Sequence, residues 1–507
     1  MSDQQTVNVK GFTSGRVLAR NTVLNLIGQL VPMVVGVVTI PILIRHLGTD
    51  RFAVITIAWM LIGYFSLFDM GLGRALTQLI AERIGKNQYE DIPGIFWTSM
   101  SLMLAFSIVG ALAIAVLASP LVHNVLKVPL PLQSETTVAL YIMAISVPFI
   151  IMTAALIGVL TAYQRFDIIN TIRIPMGTYT YAAPLLILPF SSNLVPIIAA
   201  LLLGRAVTFV IHLRYCLKIA PDLRTKIVIQ KSTIKPLFKF GGWMTAIQII
   251  STFMIYFDRF LIGSIISITA VAYYTTPYEL ITKLWVIPMA MMSVLLPVFA
   301  STYKENSSYA ADLFHRAVKY LLLITFPIVF IIVAGAQYVM TLWLGSSFAL
   351  NSYLVLQWLA IGVFINCFSQ VPFFFLQGIG RPDVASKIFI SELILYIPLL
   401  WFLTKIYGIS GAAIAWCIRA AIDAALLFYV TRNYFLPASP KLFSAGLSML
   451  GATISLVFVM YFPLAKENVW IVLLVLFVFL IGVWKILLSE MERQYLKNYL
   501  HLSATFH

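Results

Sequence analysis

Ten charged side chains fall inside long apolar stretches, and they hold the strongest claim to chemistry in this sequence. The cations are Arg74, Arg205, Arg259, Lys283 and Arg419; the acids are Asp69, Asp258, Glu279, Glu392 and Asp423. A guanidinium is a planar fork that binds two oxygens of a phosphate or carboxylate at once. A buried carboxylate can take up a proton or hold a sodium ion. Placed in hydrocarbon, each such group costs roughly 2.5–3.5 kcal/mol on the insertion scale. Ten of them must therefore face protein or a water-filled cavity. The set suits an anionic cargo held by the cations and ion coupling through the carboxylates.

Spacing divides the ten. Glu279 and Lys283 are four residues apart, as are Arg419 and Asp423, so each pair shares a helix face. A buried ion pair that sets helix register explains these two pairs as well as function does. Asp258 and Arg259 are adjacent and point about 100° apart. Asp69 and Arg74, five apart, pair poorly, and Arg205 has no acid in reach on its own helix. Arg205, Asp69 and Asp258 are the residues expected to line a route.

Covalent chemistry has no comparable support. The six histidines are scattered, and no Gly-rich phosphate loop with its lysine is present. Cys216, Cys367 and Cys417 lack metal-ligand spacing and read as small buried hydrophobes. The expectation is movement of a cargo, with no enzyme activity, no metal and no cofactor beyond a coupling H+ or Na+.

The elements that must position these groups are membrane helices. Of the 507 residues 61% are apolar and 10% charged, against about 25% charged in a soluble domain. The apolar blocks approach the roughly 20 residues of a bilayer helix and do not alternate as barrel strands do. Fourteen spans are expected, near 18–44, 52–82, 94–118, 136–162, 170–190, 194–218, 237–262, 269–300, 316–342, 352–376, 384–406, 410–432, 442–463 and 468–489. Span 2 is over-long and contains Gly71-Leu72-Gly73, so a kink or an interfacial extension is expected.

The net charge of +15 fits loops facing one side better than it fits nucleic acid. The N-terminal tail, the loops after even spans and the C-terminal tail hold 24 Lys and Arg, against 5 in the loops after odd spans. The positive-inside rule puts both termini in the cytoplasm. No cleaved signal peptide is expected. Residues 219–236 read as a basic cytoplasmic connector whose lysines can rest on anionic headgroups.

Two halves repeat. Arg165-Phe166-Asp167 opens span 5 and Arg381-Pro382-Asp383 opens span 11; Arg205 and Arg419 sit in spans 6 and 12; Leu47-Gly48 and Ile262-Gly263 follow spans 1 and 7. Six spans separate the copies, so the halves are parallel repeats. The expected fold is an all-α polytopic membrane protein: 1–218 as an N-terminal six-helix lobe, 219–236 as connector, 237–433 as a C-terminal six-helix lobe around a central cavity, and 434–507 as two extra helices and a tail.

The stretches Asn21–Gly28, Pro41–Gly48, Phe68–Leu76, Phe257–Gly263 and Gly408–Ala415 resemble the polysaccharide-exporting, Wzx-like flippases of the MATE/MOP superfamily. The resemblance implies a lumen between two lobes and an undecaprenyl-pyrophosphate-linked oligosaccharide, such as an O-antigen repeat unit, as cargo. It implies transfer from the cytoplasmic to the periplasmic leaflet of a bacterial inner membrane, ion-gradient coupling, and a lipid-tail groove at spans 13 and 14. A polysaccharide polymerase and a chain-length regulator are the expected partners, beside membrane lipids. Asp69 and Asp258 match acids in the family's motifs; Arg205, Lys283 and Arg419 match its general habit of cationic lumen residues. The alternatives are a multidrug or metabolite antiporter of the related branch, a lipid II flippase, and a non-transporting assembly scaffold.

Overall fold

The structure, a computed structural model, describes residues 15–65, 72–235, 253–254, 256–303, 306–435, 440–461, 469–482 and 493. It is helical, with no strand among the described residues. The helices are α1 (Gly15–Phe65), α2 (Leu72–Gly85), α3 (Ile92–Pro120), α4 (Leu130–Ala162), α5 (Phe166–Ile187), α6 (Leu194–Ile219) and the single turn α7 (Asp222–Thr225). They continue with α8 (residues 256–265), α9 (Ile268–Ile281), α10 (Val286–Thr302), α11 (Ser307–Ala334) and α12 (Ala336–Leu344). The last are α13 (Ser346–Gly378), α14 (Pro382–Tyr434), α15 (Pro440–Met460) and α16 (Val469–Gly482).

Six helices among the described residues are long and apolar enough to cross a bilayer. Their outward faces are apolar too: Ile108, Val109, Leu112 and Val116 on α3 are 46–74% exposed. Such a stripe is unstable in water and at home in lipid, so the chain is a multi-pass membrane protein. Breaks between expected spans fall at glycines. Gly48 (φ 79°) divides α1 and Gly408 (φ 60°, ψ −143°) divides α14, in backbone regions that a side chain resists.

Two expectations need correction. Expected span 9 is divided at Gly335, between α11 and α12. The same helix α11 starts nine residues earlier than the hydropathy suggested, at Ser307. Lys319, counted with the loop cations although it falls within expected span 9, is inside α11 and 5% exposed. The kink expected at Gly71-Leu72-Gly73 falls partly outside the described residues.

By its internal contacts the chain forms two units, Met1–Ala272 and Tyr273–His507. In the first, α4 packs along α3 and α6, and α1 along α5. Residues 256–272 pack in this unit as well: Lys127 Nζ donates to the Ile265 carbonyl at 2.5 Å, and Thr269 Oγ1 to Asp50 Oδ1 at 2.6 Å. In the second unit α13 packs along both parts of α14, and α15 closes on α11.

One local structure, a helix-ending turn followed by an Arg-x-Asp clamp, is found in both units among the described residues. At the end of α4, Arg165 N donates to Leu160 O and Gln164 N to Thr161 O; at the end of α13, Arg381 N donates to Leu376 O and Gly380 N to Gln377 O. Both are Schellman turns, with Gln164 (φ 56°) and Gly380 (φ 78°) in the left-handed position. The arginine then grips the aspartate two residues on with both arms. The distances are 3.0 and 2.9 Å for Arg165–Asp167 and 2.9 and 3.1 Å for Arg381–Asp383. The guanidinium holds each carboxyl below its ordinary value of 3.8. Beneath the second turn Leu376, Ala385, Ile388 and Leu427 form a small core.

Candidate functional site: charges within the helices

Arg205 lies about 16 Å along α6 from its start, near mid-helix. Its neighbour Gly204 makes room for the Tyr179 ring of α5, whose hydroxyl donates to Ala200 O at 2.9 Å. The guanidinium is half-buried beside Ile142, Met143 and Ser146 of α4. No acidic partner for it is found among the described residues. A cation at this depth with no carboxylate among the described residues has hydrogen-bonding capacity that an anion could use.

Arg419 occupies the matching position, about 16 Å beyond the Gly408 break. Its surroundings are the reverse. Nη1 lies 3.9 Å from Glu392 Oε2 on the preceding part of α14. The guanidinium sits 5.4 Å from the Trp416 ring and 5.6 Å from that of Tyr396, both rings buried. Glu392 and Asp423, each 2% exposed, face one another, with Ser369 of α13 beside Asp423. The expected same-face Arg419–Asp423 pair is thus part of a larger cluster, and the ion pair of Arg419 crosses to Glu392. Two carboxyls against one guanidinium leave one negative charge over. Neither Glu392 oxygen receives a hydrogen bond among the described residues, and the adjoining void of about 10 Å³ is at most one water wide. A dry, under-satisfied carboxyl pair is suited to taking up a proton.

The other residues are arranged as follows. Glu279 and Lys283 form the expected ion pair at 3.5 Å, each side chain about 39% and 38% exposed. Lys283 falls in a 3₁₀ turn, Thr282–Trp285, that interrupts the span, a feature that marks strain or a hinge. Asp258 and Arg259 are both buried in the first unit; Asp258 Oδ1 accepts from Arg259 N at 2.7 Å, and the Arg259 guanidinium stands 4.9 Å from the Tyr256 ring. Arg74 is in α2; its side chain, and Asp69 altogether, lie outside the described residues.

Sequence reading missed Glu135. It opens α4, pairs with Arg51 at 3.3 Å and accepts from Leu194 N at the start of α6, tying three helices at one end. The signal was available: Arg51 and Glu135 both bound loops of the same side. It also missed Lys319, Ser369 and the aromatic walls of Arg419. A groove of about 590 Å³ lies in the second unit among α11, α13, the last part of α14 and α15. Phe314, Ile365, Ala424, Phe428, Leu447 and Leu450 line it, with Arg432 and Asn433 also at its wall.

Comparison with known proteins agrees with this architecture. The chain is 15% identical to a multidrug resistance MATE family transporter of the MOP superfamily in an inward-facing conformation, with a TM-score of 0.69 over 85% of this chain and 99% of that one. It is 16% identical to lipid II flippase MurJ in an inward closed conformation, with a TM-score of 0.66 over 90% of this chain and 97% of that one. These likenesses show the MATE/MurJ-like transporter fold. A curated relative, "Putative O-antigen transporter" of Shigella flexneri, is 31% identical over 411 residues, 81% of this chain and 96% of its own length. The matching proteins carry transporter and flippase names, and the chain is not an enzyme. With residues 18–303 matching the family described as "Polysaccharide biosynthesis protein" and four-fifths of its length aligned to that relative, the chain belongs to the polysaccharide biosynthesis protein family.

Proposed function

We propose that the chain is a flippase that carries an undecaprenyl-pyrophosphate-linked oligosaccharide from the cytoplasmic to the periplasmic leaflet of a bacterial inner membrane. Both termini are cytoplasmic in this reading. Arg205 is the observation that carries it: a mid-helix guanidinium with no acidic partner among the described residues is matched to a cargo that brings its own phosphate charge. Glu279 and Lys283, half-exposed within an apolar helix, mark a wet face where sugar hydroxyls find partners. Family membership and the O-antigen transporter relative support the cargo class. The groove beside α15 is apolar and suits the prenyl tail.

Coupling falls to the Glu392–Arg419–Asp423 cluster, which binds a proton or a sodium ion. Its uncompensated charge gives the ion a reason to enter, and the loose 3.9 Å pair is a contact that can rearrange. A polymerase and a chain-length regulator are the proteins that would consume the delivered unit.

The test is a deletion strain complemented with Arg205→Ala. The reading requires inserted protein at normal level and lipid-linked glycan trapped on the inner leaflet; full export would contradict it. A multidrug antiporter shares the fold, and resistance lost on deletion with glycan export intact would favour that reading.

A further inference from the structure

The connector after α6 has features the transport cycle does not use. Residues 226–230 are neither helix nor strand, and Ile227, Val228 and Ile229 are 68, 48 and 61% exposed. Three consecutive apolar side chains on an exposed loop are costly in water. In sequence they are flanked by Arg224, Lys226, Lys231 and Lys235, all exposed, with Asp222 the one acid between 220 and 235.

This segment is not loose. Leu223 is fully buried and its carbonyl accepts from Trp97 Nε1 at 3.0 Å. Gln230 N donates to Thr98 Oγ1 at 2.8 Å, and the Gln230 side chain covers Gly94. The strap is pinned at both ends to the first two turns of α3, and only its middle is bare.

Its depth follows from the same helix. The 29 residues of α3 span about 43 Å, some 13 Å more than a hydrocarbon core of about 30 Å. The lipid-facing stripe of α3 begins at Leu104, 38% exposed, about 9 Å along the helix from Thr98. The strap is therefore level with the headgroups, just outside the stripe.

We propose that residues 224–235 form a binding surface for anionic phospholipid headgroups. Ile227, Val228 and Ile229 seat in the interface, and the four cations hold the phosphates of acidic lipid. The surface acts whatever the cargo is. A basic residue near an anionic membrane contributes about 1 kcal/mol, or about fivefold in affinity.

The test uses the full chain with Ile227→Cys carrying an environment-sensitive fluorophore; the native Cys216, Cys367 and Cys417 are buried, so labelling is selective. The protein is reconstituted without cargo in phosphatidylcholine vesicles, with or without phosphatidylglycerol. The proposal requires a blue shift and reduced acrylamide quenching on adding phosphatidylglycerol, reversed by high salt. Each Lys or Arg replaced by Gln among the four should weaken that association by about fivefold. Emission that ignores lipid charge, or a shift that survives removal of all four charges, overturns it. Replacing exposed lysines leaves the fold intact, so a null result reports on lipid and not on misfolding.

Discussion

Arg205 and Arg419 occupy matching places in the two repeats and live in opposite surroundings. Arg205 is half-buried with no acid among the described residues; Arg419 is enclosed by Glu392, Asp423, Trp416 and Tyr396. An arginine left without a counterion is available to an incoming anion. One beside two carboxyls already has its charge answered within the chain. Equivalence in sequence is thus not equivalence in role.

The sharpest way to break this contrast is to remove one member of each set. Arg419→Met leaves two buried carboxyls without a cation, and should cost about 3–5 kcal/mol of stability, read as a lower melting temperature in detergent; Glu392→Gln leaves Arg419 balanced by Asp423 and should cost less. The double variant still strands Asp423 and should recover only the part of that loss due to the second carboxyl. Arg205→Ala has no partner to strand, so its melting temperature should hold while transport falls roughly 10–100-fold, the worth of a charged hydrogen bond of about 1.5–3 kcal/mol. Equal melting losses at both arginines would erase the distinction.

A smaller effect tests the backbone that sets the depth of Arg419. Gly408→Ala places a side chain where the conformation is almost reserved for glycine, at about 1–3 kcal/mol. Gly48→Ala should behave alike in the first unit. Both are read by thermal unfolding.

Smallest are the twin turns, where the halves did not diverge. Asp167→Asn and Asp383→Asn should each lower stability slightly and to a similar degree. Since both carboxyls are held below 3.8, their contribution is complete at neutral pH and is lost as pH falls below that value through the folded pKa. The Asn variants should lack this acid-dependent loss in a pH series of melting curves.

Hydropathy made the helices legible because a bilayer imposes one length on every span. It did not reveal the break at Gly335, since one glycine between apolar residues changes neither composition nor length. The early start of α11 was hidden by Asp312 and Arg316, which pair with each other at 2.8 Å and so are tolerated inside a helix. The Arg-x-Asp turns were legible because they are local. The Glu392–Arg419 pair was not, for it joins residues 27 positions apart across a helix break. The lone state of Arg205 was half legible: sequence showed no acid on α6, and only the fold showed none from α4 or α5 among the described residues.

The contrast is tested most directly by cargo binding. Native mass spectrometry of the purified chain with a prenyl-pyrophosphate-linked oligosaccharide should show affinity reduced at least about tenfold in Arg205→Ala. The Glu392→Gln/Arg419→Met double variant should stay near the parent. Undiminished binding by Arg205→Ala, or a larger loss in the double variant, would contradict the account.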